Sequence, residues 1–262
     1  MPAPPLPRPQ GEAMIDHLSY SSISSYLQCA RHWRYRYIDR QPSPSSDALL
    51  FGSAWHKMIS LVAGGGGHLG KSTFGSPNAW YTVMTTMTEL QDNPAADEIQ
   101  ATGERLLAVP EIRTAIQGLK PTHLDYEIEL HVPGLPVPVT GFVDMIAADG
   151  LTYDFKTASK KWTQGQADSS LQPTVYLAAL QQSGLVSLPA SFRYMIFTKT
   201  KSPEVQIIDT VRTAADVLAF YELAREVWRA IEAGIYVPNG IGSWKCSQNY
   251  CEFWNLCEGG KR

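Results

Sequence analysis

The chain has 262 residues, of which 44% are hydrophobic and 18% charged, and its formal net charge is −3. This composition is typical of a globular protein and excludes a chain that is basic overall, although a local basic patch is enough to bind nucleic acid. No run approaches the about 20 consecutive apolar residues of a membrane span. The proline-rich start, Met1–Glu12, lacks the apolar segment of a secretory signal. We therefore expect a disordered tail over residues 1–18 and a cytoplasmic protein without membrane contact.

The first predicted helix covers Ser19–Tyr37, where serines that can cap a helix precede apolar side chains at helical spacing. Its second half interleaves arginines with aromatic side chains. This pattern fits contacts with a nucleic-acid backbone and its bases, or equally a solvated basic helix face. A second predicted helix, Phe51–Val62, contains His56. Lone histidines on such helices are mostly structural, so a functional role for His56 needs support from other residues.

The segment Gly65–Ser72 matches the G-x-x-x-x-G-K-[ST] pattern of phosphate-binding loops. That motif requires a strand before it and a helix that begins at its Lys-Ser pair. Here the next residues, Phe74–Pro77, end any helix at once, and the preceding residues fit better as the end of the His56 helix. The segment therefore predicts a flexible linker and not a nucleotide-hydrolysing site.

Two short strands around Asp149-Gly150 are central to the predicted function. The flanking runs alternate or are largely apolar, and Asp-Gly between such runs indicates a β-hairpin. Residues i and i+2 of a strand share a face, so Asp154 and Lys156 are neighbours that Asp144 can reach from the partner strand. Paired carboxylates suit Mg²⁺ or Mn²⁺, and a nearby ammonium can orient water or stabilise phosphate charge. The alternative interpretation is that Asp154 and Lys156 form only a surface ion pair on this hairpin.

The rest of the chain predicts further helices and strands without a clear domain boundary, which favours a single domain over residues 19–262. Gln172 and Tyr176 are four residues apart on one predicted helix and so share a face. The predicted helices cover 78–90, 95–119 with a break near Pro110, 170–182 capped by Ser170, and 213–233; the predicted strands cover 124–132, 191–198 and 205–211.

Three of the four cysteines lie near the end of the sequence, at Cys246, Cys251 and Cys257, whereas Cys29 lies in the first predicted helix. Disulfides are rare in the cytoplasm, and clustered thiolates there favour a metal. Four thiolates suit zinc or an iron–sulfur cluster about equally, and free structural cysteines are the third interpretation. Either metal would tie the two ends of this sequence together.

Taken in order, these residues resemble the iron–sulfur branch of the PD-(D/E)XK nuclease superfamily. This branch includes RecB-like exonucleases, their CRISPR-associated relatives and the nuclease domain of AddB. The resemblance covers residues 19–259 and implies an α/β fold with a restriction-endonuclease-like core. In that fold helices flank a central mixed sheet, and an iron–sulfur cluster joins the N- and C-terminal segments. The matching residues are Cys29, His56, Asp144, Asp154-x-Lys156, Gln172-x-x-x-Tyr176, Cys246, Cys251 and Cys257.

The resemblance also implies a role for each matching residue. His56, Asp144 and Asp154 correspond to metal ligands, together with the backbone carbonyl of Phe155, and Lys156 corresponds to the catalytic lysine. Gln172 and Tyr176 correspond to a motif that lines the active site and contacts DNA. The cysteines correspond to ligands of a 4Fe-4S cluster, which favours iron over zinc. The spacing from Cys246 to Cys251 is longer than in many relatives.

The function implied by the resemblance is that of a DNA exonuclease dependent on Mg²⁺ or Mn²⁺. Such an enzyme hydrolyses phosphodiester bonds from DNA ends or in single strands, during recombination, repair, or phage- or CRISPR-linked DNA processing. Its expected partners are DNA and recombination or CRISPR proteins, some relatives form homo-oligomers, and its expected location is a bacterial or phage-infected cytoplasm. A non-catalytic iron–sulfur DNA-binding or adaptor module with the same fold is the alternative, and an endonuclease is the third candidate.

Overall fold

The protein is described by a computed structural model that covers residues 15–43, 46–69, 78–240 and 243–257. Its strands are β1 (Leu18–Ser19), β2 (Pro121–Leu130), β3 (Val139–Ala147), β4 (Thr152–Ala158), β5 (Ala190–Thr198) and β6 (Val205–Arg212). Its helices are α1 (Tyr20–Gln28), α2 (Ala30–Tyr37), α3 (Asp47–Ala63), α4 (Ala79–Thr86), α5 (Ala96–Leu107), α6 (Pro110–Gln117), α7 (Gln164–Asp168), α8 (Gln172–Gln182) and α9 (Ala214–Glu232). None of the described helices combines the length and apolar character needed to cross a bilayer.

The strands form one mixed sheet in the order β1-β3-β4-β5-β6, and β2 pairs along the other edge of β3. The pairs β1–β3 and β4–β5 are parallel, and the remaining pairs are antiparallel. β1 and β4 share one edge of β3, because β1 pairs at Val139 and Thr140 and β4 pairs only at Met145 and Ile146. Residues 141–144 lie between these two pairings. We call this gap in the sheet the fork.

Hydrophobic clusters cover both faces of the sheet, which confirms the predicted α/β fold with a central mixed sheet between helices. Alternation along β5 shows the two faces, because Tyr194 and Ile196 belong to one cluster and Met195 and Phe197 to the other. Helices α1, α2, α8 and α9 contribute to the first cluster, and α3 to α6 contribute to the second. The predicted hairpin is also confirmed, with Gly150 at a positive φ of 81° in the turn between β3 and β4.

The prediction of one helix over Ser19–Tyr37 is wrong, because the chain bends at Cys29 between α1 and α2. Cys29 has an extended backbone with φ −163° and ψ 102°, and the Sγ atom of Cys29 accepts a hydrogen bond from the His32 amide at 3.5 Å. The cysteine therefore caps α2. The apolar spacing continues across this bend, which is why the sequence pattern did not reveal it.

Three smaller predictions also need correction or restriction. Leu18 pairs with β3 and is 1% exposed, so the predicted disordered tail does not extend to residue 18; residues 1–14 lie outside the described part. The cap of α8 is Leu171 and not Ser170, although Pro173 does lie in its first turn. The phosphate-loop pattern starts just after α3, which confirms that the residues before it end the His56 helix. Residues 70–77, which include Lys71, lie outside the described part, so the flexible linker stays a prediction.

Gly103 of α5 is expected to be essential for packing, because a Cβ atom there would collide with the indole ring of Trp80. Trp80 is 3% exposed and packs against Trp55 with ring centroids 5.8 Å apart. Overpacking of this kind typically costs about 1–3 kcal/mol, so we expect Gly103→Ala to lower the free energy of unfolding despite the helix propensity of alanine. Urea denaturation measures the change.

The matched control is Gly52→Ala in α3, where an added Cβ would lie 3.7 Å from Thr157 Oγ1, an ordinary contact. Alanine at this helical position is expected to leave stability unchanged or to raise it by up to about 1 kcal/mol. Equal effects of the two substitutions would show that Gly103 is not a packing constraint.

Candidate active site

The fork brings together the acidic and basic residues that the sequence analysis grouped. Asp144 lies at the end of the unpaired edge of β3, and Asp154 and Lys156 extend from β4. The Lys156 Nζ atom lies 2.7 Å from Asp154 Oδ2, and His56 Nδ1 from α3 lies 3.4 Å from Asp144 Oδ1. The Phe155 amide, which would face β3 in a continuous ladder, donates to Asp144 Oδ2 at 2.6 Å. This bond satisfies the Phe155 amide while the strands stay apart.

Helix α8 positions two further predicted residues against this group. Gln172 donates from Nε2 to Asp154 Oδ1 at 2.5 Å, and the Tyr176 hydroxyl interacts with the Gln172 side chain one turn earlier. Gly141 makes room for the tyrosine, because a Cβ atom there would lie 3.3 Å from Tyr176 Cε1. The shared helix face predicted for Gln172 and Tyr176 therefore reaches the fork.

Burial and neighbouring charges determine the protonation of the site. Asp154 is 2% exposed, and burial raises its pKa to about 6, although the Lys156 charge acts in the opposite direction. Burial alone would lower the pKa of Lys156, but the Asp154 charge raises it above its ordinary value. The pKa of His56 is likewise raised, because its hydrogen bond with Asp144 and the Asp144 charge outweigh burial. Burial therefore disfavours the charged form of Asp154, whereas the neighbouring carboxylates favour the charged forms of Lys156 and His56.

The types of metal-ligating group present in the fork suit a hard divalent cation. Two carboxylates, an imidazole and a backbone carbonyl are ligands that Mg²⁺ and Mn²⁺ accept. Asp154 Oδ2 is buried and has no hydrogen bond of good geometry beyond its ion pair with Lys156. Among the described residues, however, no three His, Cys, Asp or Glu side chains are close enough to hold a metal ion as they stand. The ligand assignment for His56, Asp144, Asp154 and Phe155 therefore stays a prediction.

Two tyrosines near Lys156 were missed by the sequence analysis. Tyr194 on β5 donates its hydroxyl hydrogen to Ser170 Oγ at 2.9 Å, and its ring centre lies 6.0 Å from Lys156 Nζ. Tyr20, the first residue of α1, packs edge-to-face on Tyr176 with ring centroids 6.3 Å apart. Alternation along β5 could have indicated Tyr194. No sequence signal indicates Tyr20, because its position depends on the short pairing of β1 with β3.

The four cysteines line one cavity of about 270 Å³, away from the fork residues. Cys29 comes from the bend between α1 and α2, and Cys246, Cys251 and Cys257 come from the irregular segment 243–257. The thiols are free, and burial raises the pKa of Cys251, to which Cys29 and Cys257 add a smaller effect. The structure thus brings together the cysteines that the sequence analysis grouped. Within the described part of the chain, no three of these thiols or of neighbouring His, Asp or Glu side chains stand close enough to form a metal-ligand group.

A sequence model of the PD-(D/E)XK nuclease superfamily matches residues 17–258. The chain belongs to this superfamily. PD-(D/E)XK nucleases generally use Mg²⁺ or Mn²⁺ and bind DNA, which agrees with the donors in the fork. No curated protein matches the chain.

Two solved structures resemble the fold of this PD-(D/E)XK protein. One is a "Putative exonuclease" from Eubacterium rectale, with a TM-score of 0.60 and 13% sequence identity over 89% of this chain and 86% of the other. The second, SSO0001, has a TM-score of 0.40 and 11% identity over 92% and 93% of the two chains, which is too low to support an argument. At these identities the first similarity establishes the fold alone.

Binding of Mn²⁺ in the fork is expected to stabilise the protein. A ligand at 100 times its dissociation constant stabilises a native state by about 2.7 kcal/mol, which corresponds to a rise in Tm of roughly 5–10 °C for a domain of this size. Differential scanning calorimetry with and without Mn²⁺ measures the shift. Asp154→Ala removes one of the predicted ligands and is expected to abolish this rise in Tm.

Asp209→Ala is the control for this experiment, because Asp209 pairs with Arg193 on the neighbouring hairpin and lies outside the fork. This variant is expected to keep the full Mn²⁺-dependent rise in Tm. An equal rise in Asp154→Ala would place the cation elsewhere.

Proposed function

We propose that this PD-(D/E)XK protein is a DNA exonuclease that requires Mg²⁺ or Mn²⁺ and hydrolyses phosphodiester bonds at DNA ends or in single strands. The observation that carries the proposal is the convergence of Asp144, Asp154 and Lys156 in one gap of the sheet, within hydrogen-bond reach of His56 and Gln172. Such an activity fits recombination, repair, or phage- or CRISPR-linked DNA processing in a cytoplasm.

Each residue of the fork has a separate role in the proposed hydrolysis of a phosphodiester bond. A divalent cation held by Asp144, Asp154, His56 and the Phe155 carbonyl would supply Lewis acidity toward a water molecule and a phosphate oxygen. Lys156 contributes a positive charge that can stabilise the charge developing on the phosphate. Gln172 fixes the orientation of the Asp154 carboxylate through its hydrogen bond of 2.5 Å. Tyr176 forms a wall of the gap beside Gly141.

The unpaired edge of β3 at the fork is short. Four residues of β3, 141–144, separate the pairings with β1 and β4, and at about 3.3 Å per residue this edge is roughly 13 Å long. The name of the similar protein from Eubacterium rectale supports exonuclease over endonuclease activity.

The deciding experiment for the nuclease proposal uses anaerobically purified protein, Mn²⁺, end-labelled single- and double-stranded DNA, and a covalently closed circle. We expect the wild type to release nucleotides or short oligonucleotides from linear DNA, and Asp154→Ala to release none. Cleavage of the closed circle would identify an endonuclease instead. DNA binding without any cleavage would support the adaptor module.

We also propose that the four cysteines hold a 4Fe-4S cluster, as in the RecB-like exonucleases that the sequence resembles. The supporting observation is their position around a single cavity of about 270 Å³, since four thiolates are the usual ligand set of such a cluster. The cluster would join the α1–α2 bend to segment 243–257. This would stabilise the contact between two parts of the chain that are far apart in sequence.

The cluster proposal is tested by the iron, acid-labile sulfide and zinc content of protein purified without oxygen. We expect equal amounts of iron and sulfide, with visible absorption that is lost in Cys257→Ser. Zinc without sulfide would replace the cluster with a structural zinc site. If neither iron nor zinc is present, the cysteines are free structural residues.

A further inference from the structure

The sheet topology places Tyr20 at the edge of the fork opposite Lys156. Leu18 and Ser19 of β1 pair in parallel with Val139 and Thr140, so the next residue, Tyr20, begins α1 beside the unpaired edge of β3. β4 runs antiparallel to β3 on the other side of the gap. Extending that register from the pair Met145–Tyr153 would set Lys156 opposite residue 142. Tyr20 and Lys156 therefore approach the same opening from its two sides.

Local contacts fix the position of the Tyr20 ring. Ser19 caps α1, with its Oγ accepting from the Ser22 amide at 3.1 Å and its amide donating to Ser22 Oγ at 2.9 Å. The ring packs edge-to-face on Tyr176, with an angle of 86° between the ring planes. Because the backbone and the ring are both held by these contacts, a ligand contact of this side chain would cost little conformational entropy on binding.

The Tyr20 hydroxyl is available to a ligand, unlike that of Tyr194 on the other side of Lys156. Tyr194 bonds to Ser170, whereas no hydrogen bond of the Tyr20 hydroxyl is found within the described part of the chain. Tyr20 is close enough to Lys156 to contribute to the electrostatic environment of its ammonium group. A neutral donor and an ammonium that face one gap form a suitable pair for a phosphate oxygen.

We propose that Tyr20 is a further substrate-binding residue whose hydroxyl donates a hydrogen bond to a non-bridging oxygen of the DNA phosphate held next to Lys156. This assignment rests on the proposed nuclease function for its substrate class. It adds a contact from α1, an element that carries none of the metal-ligand or catalytic residues implied by the superfamily resemblance.

The test compares Tyr20→Phe with the wild type in two separate measurements. The first is kcat/KM for cleavage of single-stranded DNA with Mn²⁺. The second is equilibrium binding of a fluorescein-labelled single-stranded oligonucleotide without divalent cation, which needs no turnover. Loss of a hydrogen bond to a charged group typically lowers a rate or binding constant by about 10- to 100-fold. We therefore expect kcat/KM of Tyr20→Phe to fall by about 10- to 100-fold and its affinity for the oligonucleotide to fall by about 10-fold. The Tm of Tyr20→Phe is expected to stay unchanged.

Tyr26→Phe on the same helix is the matched control. The Tyr26 hydroxyl donates to the Ile235 carbonyl at 2.5 Å, so its loss is expected to lower the Tm without changing DNA binding or cleavage. If the wild type binds DNA but does not cut it, and Tyr20→Phe weakens binding, the nuclease proposal fails while the Tyr20 contact stands. The Tyr20 assignment would be overturned if Tyr20→Phe bound and cleaved DNA as well as the wild-type protein does. It would also be overturned if the wild-type protein did not bind DNA.

Discussion

Replacing Lys156 with methionine is expected to lower kcat for DNA cleavage by about 100- to 1,000-fold, the usual effect of removing one group that stabilises transition-state charge. Methionine keeps most of the side-chain volume but removes the ammonium that lies 2.7 Å from Asp154 Oδ2. The hydrogen bond from Gln172 still holds the other oxygen of Asp154. We therefore expect DNA binding to change much less than kcat. Single-turnover cleavage at saturating DNA measures the chemical step directly.

The control for this variant is Lys161→Met, five residues further along the chain. Lys161 pairs with Glu204 at 2.8 Å on the surface, and 59% of its side chain is exposed. Its replacement is expected to leave kcat unchanged, with at most a small weakening of DNA binding at low salt. Similar kcat values for Lys156→Met and the wild type would remove Lys156 from the catalytic group.

Replacing Arg212 with methionine is expected to give the largest loss of stability, because this guanidinium is 5% exposed and holds the segment between α7 and α8. Its removal leaves several buried acceptors unpaired, so we expect a decrease of about 3–5 kcal/mol in the free energy of unfolding. Urea denaturation measures it. The acceptors are the Ala167, Asp168 and Ser170 carbonyls and the Thr174 and Thr210 hydroxyls.

The same substitution is expected to lower activity even at temperatures well below the Tm. Arg212 holds the Ser170 carbonyl, which lies only two residues before Gln172, the first residue of α8. Arg193→Met is the matched control on the same β5–β6 hairpin. Arg193 forms two hydrogen bonds of 2.7 Å with the half-exposed Asp209, and such surface pairs contribute up to about 1 kcal/mol. Equal losses of stability in the two variants would contradict a structural role of the buried Arg212.

The sequence pattern was sufficient for the parts of the site that depend on local periodicity. The Asp149-Gly150 turn set the register that brings Asp144 near Asp154, and strand alternation placed Lys156 beside Asp154. The helical spacing of Gln172 and Tyr176 likewise predicted that both side chains lie on one face of α8. In each case the relevant residues lie within one strand, one helix or one hairpin, where backbone geometry fixes the faces.

The remaining parts depend on contacts between distant segments. Two residues of β1 carry no periodic signal, yet their pairing with β3 opens the fork and positions Tyr20. The bend at Cys29 was missed because apolar side chains continue at helical spacing on both sides of it. Sequence spacing clustered only Cys246, Cys251 and Cys257, and the approach of Cys29 to the same cavity depends on the folded chain. The metal bound there stays a prediction.

The pairing between β3 and β4 is a line of few contacts across the sheet. β2 and β3 form one extended ladder, and β4 to β6 form another. The strands β3 and β4 that join them share two residue pairs, the bond from the Phe155 amide to Asp144 and a turn bond from the Ala147 amide to the Leu151 carbonyl. Local opening follows such lines of few contacts. Separation there would part Asp144 from Asp154 while both ladders remain folded. Amide hydrogen exchange at Phe155 is therefore expected to be faster than in the centre of β5, and heat to abolish activity reversibly before the protein melts.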